Sequence, residues 1–344
     1  MPHSPSHQKD SESPAKLQLP SIVLCGYERG GTTLLADIFR NNGYESGFEC
    51  GVLMCDTPKA FLKYKPYVDM LSTDLSWGID SGEVETICSG NFENFYNQLI
   101  SKSNPTIQES NKFFDKTPIY LSKLGRVLNR TEFINKACVI HRDPRAIFSS
   151  WAKRVETKKT IEQTVLAHLD KYCQRYIHYF LGCAAHFDNP NVFFVPFEDL
   201  CDRQEFYYKQ IGLFADSEEF SPLGKKSRFS NVEGTGIDSS KAVEFEQYLS
   251  KDVQHKILKK TQLASPFFAS KKERDRFGDC WNETYFKIQA VLSHYDINEI
   301  AYMVDGIYFE PLTYLLRHPD VLLANASPLT HYAEFGIKEG RCPD

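Results

Sequence analysis

The chain has 344 residues, 42% of them hydrophobic and 25% charged, with a formal net charge of −5. That length suits one large α/β domain with a smaller unit attached. The negative balance speaks against general nucleic-acid binding, which needs a basic domain. Ten cysteines are scattered without a C-x-x-C pair or a Cys/His cluster at metal spacing. They read as reduced, packed thiols of a cytoplasmic chain, and no metal is expected.

Residues 1–19 are polar, Pro/Ser-rich and without an apolar h-region, which predicts a disordered lead-in rather than a signal peptide or anchor. No run approaches the roughly 18 apolar residues of a transmembrane helix. The sequons at Asn129, Asn282 and Asn325 are then chance matches. Residues 21–26 read as a short buried strand and 32–42 as the helix after it, with Gly43 as its stop. Residues 55–103 are mixed, helical or irregular. The apolar pair Phe113-Phe114 precedes D-K-T-P, where Pro118 can open a helix. "ACVI" at 137–140 is a second strand. Asp143 and Pro144 then form a helix start, an N-cap acceptor followed by proline at the first helical position. From Ile161, apolar residues at 165, 169, 172, 173, 176, 177, 180 and 184 predict one long amphipathic helix. "VFFV" at 192–195 is a third strand. Residues 221–240 read as a long functional loop, and beyond about 270 the pattern is helical with no convincing strand. The fold class expected is α/β, with a P-loop-like central parallel sheet flanked by helices and a small helical C-terminal extension. The units expected are 20–265 and 270–344.

The octamer at 26–33, "GYERGGTT", follows the first strand. Its spacing is that of a P-loop, G-x-x-x-x-G-K-[ST], but Thr32 stands where the lysine belongs and Arg29 is the loop's one cation. A disabled nucleoside-triphosphate site, a glycine-rich turn and a loop for another anion are all open at this point. Gly26, Gly30 and Gly31 let backbone N–H groups surround an anion, and Thr32 and Thr33 add hydroxyls in the helix's first turn. A metal–nucleotide site also needs a carboxylate at a strand end, whereas the second strand ends in His141-Arg142. Residues 112–154 hold ten lysines and arginines against three acids, a local excess of seven. Arg142 lies at the strand exit, and Ser150 and Arg154 are i,i+4 neighbours on the helix begun by Asp143. They suit a second anion near the carboxyl ends of the strands. Two anion sites without a metal suggest a nucleotide phosphorylated at both ends of its ribose.

"GYERGGTTLL", "DKTP…VIHRDPRAIFSSWAKR" and "VFFVPFEDL", in that order, resemble the sulfotransferase family, which uses 3′-phosphoadenosine-5′-phosphosulfate (PAPS). The resemblance covers roughly residues 20–215 and is nearest to the bacterial and tyrosylprotein branch. It implies a 5′-phosphosulfate loop of Arg29, Gly30, Gly31, Thr32 and Thr33, with Gly30 replacing the usual serine. It also implies a 3′-phosphate site of Arg142 and Ser150, joined by Arg154. The histidine base of small-molecule sulfotransferases is missing, because Pro118 occupies its place. The branch's base is a glutamate after the first helix, for which Glu49 is the match and Glu45 the fallback. Lys116 corresponds to the branch's transition-state lysine and Arg29 to its loop arginine. Lys225, Lys226 and Arg228 are placed to close over the nucleotide, and Phe197 stands where the family often has tyrosine.

Residues 308–341 resemble a small bacterial segment of cell-surface polysaccharide assembly, Y-L-x-x-N-P-D-V…P-L-x-H-Y…G-x-x-E-G-R, with His318 replacing its asparagine. The resemblance implies two or three short helices and a hydroxylated acceptor that is a glycan or glycolipid. The expected activity is sulfuryl transfer from PAPS by in-line displacement. A non-catalytic partner in polysaccharide assembly and a P-loop kinase are the alternatives.

Overall fold

The computed structural model describes residues 19–73, 76–217, 220–224, 237–292, 302–304, 307–309 and 311–341. The lead-in up to residue 18 and the loop cations Lys225, Lys226 and Arg228 lie outside the described residues.

Four parallel strands form the central sheet: β1 (Ile22–Gly26), β2 (Phe114–Lys116), β3 (Lys136–His141) and β4 (Val192–Pro196), in the order β2-β1-β3-β4. Alternation along each strand splits the core into two layers. Ile22 and Leu24, with Cys138, Ile140 and Val195, pack against Leu35 and Phe39 of helix α1 (Thr32–Asn41) and against Tyr208 and Ile211. Val23 and Cys25, with Ala137 and Val139, face the larger cluster that contains Tyr176 and Phe180. This is an α/β sandwich. The chain leaves β1 toward β2 on one side, and β3 leads to β4 on the other, so the strand order reverses between β1 and β3. Ligands of open α/β sheets bind beyond the carboxyl ends at such a point.

Strands 1, 3 and 4 stand where the apolar runs place them, and β2 is an addition. Its sequence, F-D-K, is fully buried, but two charges in three residues conceal a strand from any apolar pattern. The long helix expected from Ile161 is two, Ile161–Ala167 and Leu169–Ala184. At His168 the backbone turns to φ −116°, ψ 12°. Val165 and Leu169 are buried on either side of the break, so the apolar stripe passes it uninterrupted and periodicity does not register it. The helix opened by Asp143 and Pro144 ends at Ala152. Arg154 therefore lies on the following turn, its N–H donating to Trp151 O (3.0 Å), and is not a helical neighbour of Ser150.

The C-terminal region also departs from the expectation. Beyond helix Lys271–Leu292, β5 (Tyr302–Val304) and β6 (Ile307–Phe309) pair antiparallel, with Tyr302 opposite Phe309. Strands of three residues are too short to display a period of two. Short helices follow at Pro311–Arg317, Pro319–Leu323 and Pro328–His331. Phe309, Tyr314, Leu315, Val321 and Tyr332 join the larger core cluster. Among the described residues, eight cysteines are free thiols and seven of them are buried. No described helix is long and apolar enough to cross a membrane.

Candidate active site

Gly26 of β1 lies opposite Ile140 of β3. A β-carbon on Gly26 would sit 2.1 Å from the Ile140 carbonyl oxygen, so the strands approach here only because the residue is glycine. The loop turns back at once, with Gly30 N–H donating to Tyr27 O (2.8 Å). A β-carbon on Gly30 would stand 2.9 Å from that same oxygen. The tight turn thus accounts for glycine where the family usually has serine. Gly31, at φ 106°, precedes α1 and makes no side-chain cap bond. The first-turn amides of α1 are therefore left to another acceptor. Thr32 is buried and Thr33 half-buried beside them.

Three arginines gather at this loop. The Arg142 guanidinium donates to Arg29 O (3.1 Å) and to Lys241 O, and lies 4.5 Å from the centroid of Phe197. Phe197 thus offers its ring face instead of a tyrosine hydroxyl. Arg142 is 8% exposed, and its Nε is buried without a hydrogen-bond partner. Its carbonyl accepts from Tyr176 OH (2.7 Å), while Tyr176 O accepts from Tyr27 OH (2.7 Å). With the two rings stacked 4.3 Å apart, strand β3 and the loop are tied through one helix. Arg29 Nε donates to Ser150 Oγ (3.1 Å). Burial, and then the charges of Arg154 and Arg142, hold Arg29 below the ordinary arginine pKa. Among the described residues, none of the three forms an ion pair with a carboxylate. The neighbouring Arg145 differs, being paired with both Asp143 and Glu273. Like charges with no carboxylate in salt-bridge contact among the described residues, beside an uncapped helix, suit an anion. The loop thereby brings together Arg29, Gly30, Gly31, Thr32, Thr33, Arg142 and Ser150, while the exposed Arg154 acts on Arg29 through its charge alone.

The second group of residues sits at the end of β2. Lys116, 2% exposed, places Nζ 3.0 Å from Glu49 Oε1 and 4.0 Å from the centroid of Phe48. Burial raises the Glu49 pKa, and Lys116 opposes that rise. Burial also lowers the Lys116 pKa, with Glu49 opposing. Glu45 is elsewhere: its backbone bridges Phe113, and its carboxylate lies 3.9 Å from Arg40.

The segment that carries Glu49 is held by residues the sequence reading passed over. Thr117 Oγ1 accepts from the N–H groups of Cys50 (3.2 Å) and Gly51 (3.0 Å) and donates to Asp115 Oδ1 (3.0 Å). Asp115 also accepts from Tyr96 OH and Tyr120 OH. Burial pushes its pKa up to about 6, against these hydroxyl donors. Glu28, within the octamer itself, accepts from Arg175 (2.7 Å) and Tyr179 OH (2.7 Å). A carboxylate beside the loop arginine was the available signal for it.

The family model described as Sulfotransferase family matches residues 20–222. Among solved structures, the chain is similar to a sulfotransferase domain from the curacin biosynthetic pathway, at 16% identity and a TM-score of 0.46, over 71% of this chain and 98% of that one. It is likewise similar to a sulfotransferase domain from the Synechococcus PCC 7002 olefin synthase, at 15% identity and a TM-score of 0.45, over 73% and 97%. Retinol dehydratase in complex with androsterone and the inactive cofactor PAP matches at 14% identity and a TM-score of 0.39, over 74% and 84%. No curated protein matches the chain.

Proposed function

The chain belongs to the sulfotransferase family, and from that premise we propose that it transfers the sulfuryl group of PAPS to a hydroxyl of a glycan or glycolipid, with Glu49 as the base. The observation that carries this reading is the group of arginines that have no salt-bridged carboxylate among the described residues, at the uncapped start of α1. Its donors are guanidinium, hydroxyl and amide N–H groups, which suit phosphate and sulfate oxygens and do not ligate metals. The orphaned Nε of Arg142 marks a place still lacking an acceptor.

PAPS supplies the activated sulfuryl group. Arg29, Gly30, Gly31, Thr32 and Thr33 bind its 5′ end, while Arg142, Ser150 and Arg154 bind its 3′-phosphate. Glu49 takes the proton of the acceptor hydroxyl, and Lys116 offsets charge at the reacting centre. The missing P-loop lysine fits this assignment, because a phosphosulfate carries less charge than a β/γ-phosphate pair and uses no metal.

Calorimetry with PAP and transfer of ³⁵S from labelled PAPS to cell-envelope extracts test the proposal. Binding of PAP without metal, with label incorporated, is expected. A protein that binds no PAP would overturn it. The pH dependence carries a sign. Glu49 must be ionised to act as a base, so kcat/KM falls as pH drops through its pKa. Burial places that acidic limb above the ordinary glutamate value of 4.5. Glu49→Gln is expected to lower kcat about 10²–10⁴-fold with PAP affinity unchanged. An unaltered kcat in that variant would remove Glu49 from the mechanism.

A further inference from the structure

Glu49 and the two residues after it belong to no helix or strand, so its carboxylate depends on tertiary anchors to hold it in place. Upstream, Phe48 N–H donates to Ser76 Oγ (3.1 Å). Downstream, three amides meet two hydroxyls of one short stretch. Cys50 N–H (3.2 Å) and Gly51 N–H (3.0 Å) both donate to Thr117 Oγ1, and Leu53 N–H donates to Tyr120 OH (3.3 Å). Those hydroxyls in turn converge on Asp115. Thr117 donates to Oδ1 (3.0 Å), while Tyr120 (2.8 Å) and Tyr96 (2.5 Å) donate to Oδ2. Asp115, Thr117, Tyr96 and Tyr120 are all buried, which shields these bonds from competing water.

The chemistry of Asp115 sets the direction of the whole network. An ionised carboxylate can only accept. Each of the three hydroxyls therefore turns its one proton toward Asp115, which leaves the lone pairs of Thr117 and Tyr120 for the amides of Cys50, Gly51 and Leu53. The Thr117 oxygen, with two lone pairs and two N–H groups, is then saturated. The Cys50 amide belongs to the peptide unit that begins at the Glu49 carbonyl carbon. Fixing it fixes the backbone from which the Glu49 side chain projects. Lys116, between Asp115 and Thr117, meets the far end of that side chain at Oε1 (3.0 Å). Thr117 N–H donates to Leu24 O (3.0 Å), which secures the stretch to β1. Resting on the role proposed for Glu49, we propose that Thr117 is a positioning residue for that base and that Asp115 orients it. Consecutive residues, Lys116 and Thr117, thus hold Glu49 at its carboxylate and at its backbone.

The test is the initial rate of ³⁵S transfer from saturating labelled PAPS to a fixed amount of cell-envelope extract. PAP affinity, measured first by calorimetry in every variant, reports folding and the nucleotide site separately. Thr117→Val keeps the shape and removes the hydroxyl. It should lower the rate about tenfold to a hundredfold, as for a reacting group displaced by roughly 1 Å, with PAP affinity unchanged. Thr117→Ser should stay within a few-fold of wild type. Asp115→Asn brings an amide that donates as well as accepts, so it disturbs the hydroxyl directions and should also slow transfer without weakening PAP. The deciding comparison is made in Glu49→Gln, where Thr117→Val should cause no further loss, because groups that act as one unit are not additive. A wild-type rate in Thr117→Val, an equal loss in Thr117→Ser, or the same loss with and without Glu49 overturns the proposal. If Thr117→Val does not bind PAP, Asp115→Asn and Tyr120→Phe carry the same comparison in its place. A wild-type rate in Glu49→Gln refutes the base and this proposal with it, whereas a slow Glu49→Gln beside an unaffected Thr117→Val refutes the positioning role alone.

Discussion

Lys116→Met is expected to lower kcat by about 10²–10³ while leaving PAP affinity within a few-fold of wild type, the loss typical of a donor aimed at developing charge. The ammonium is nearly buried, faces Glu49 at 3.0 Å and lies over the Phe48 ring. A second effect separates this residue from a plain structural lysine. Without Lys116, Glu49 keeps the burial that raises its pKa and loses the charge that opposes it. The acidic limb of kcat/KM should therefore move to higher pH. Stability should fall as well, by about 3 kcal/mol, as when one member of a buried pair is removed. The double variant Lys116→Met/Glu49→Gln should recover part of that stability and none of the activity. Wild-type kcat in Lys116→Met would refute the assignment; chemical denaturation with single-turnover kinetics measures both effects.

Arg142→Ala is expected to weaken PAP binding by about 2–5 kcal/mol, which is some 30-fold to several thousand-fold. The side chain does two things at once. It offers donors to the nucleotide, and it holds the loop through Arg29 O while resting on Phe197. Arg142→Lys keeps the charge but cannot keep both contacts, because a single ammonium lacks the planar fork; an intermediate loss is expected. Calorimetry with PAP and with adenosine 5′-phosphate separates the contributions. If Arg142 serves the 3′-phosphate, the variant loses its preference for PAP over adenosine 5′-phosphate. Equal losses for both ligands would mean that Arg142 acts only by shaping the loop.

Strands β1, β3 and β4 and the turns after them were readable because buried parallel strands are continuous apolar runs, and Gly26, Gly31, Asp143 and Pro144 are local signals. The same applies to Arg29, Arg142 and Ser150, whose strand-end and helix positions follow from those elements. Lys116 and Glu49 are different. Their contact joins residues 67 apart in sequence through the pairing of β1 with β2, and β2 itself is hidden by the charges it carries. Resemblance pointed to both residues, and only the three-dimensional arrangement sets them on one another and leaves Glu45 at Arg40. Thr117, Asp115 and Glu28 escaped for a related reason. Each acts through partners distant in sequence, which local pattern does not encode. The break at His168 was invisible because it leaves the phase of the apolar stripe unchanged.

Arg29 holds a left-handed backbone, φ 69°, between glutamate and glycine. Glycine takes that conformation freely, while an L-residue with a β-carbon is held there at about 1–3 kcal/mol. The loop contains three glycines, yet this position keeps a bulky cation. On the role proposed for Arg29, stability and turnover pull in opposite directions at a single residue. Selection or engineering for a more robust fold would drift toward glycine here and discard the guanidinium, so thermostabilised variants of this protein should be screened for turnover at this position before any other.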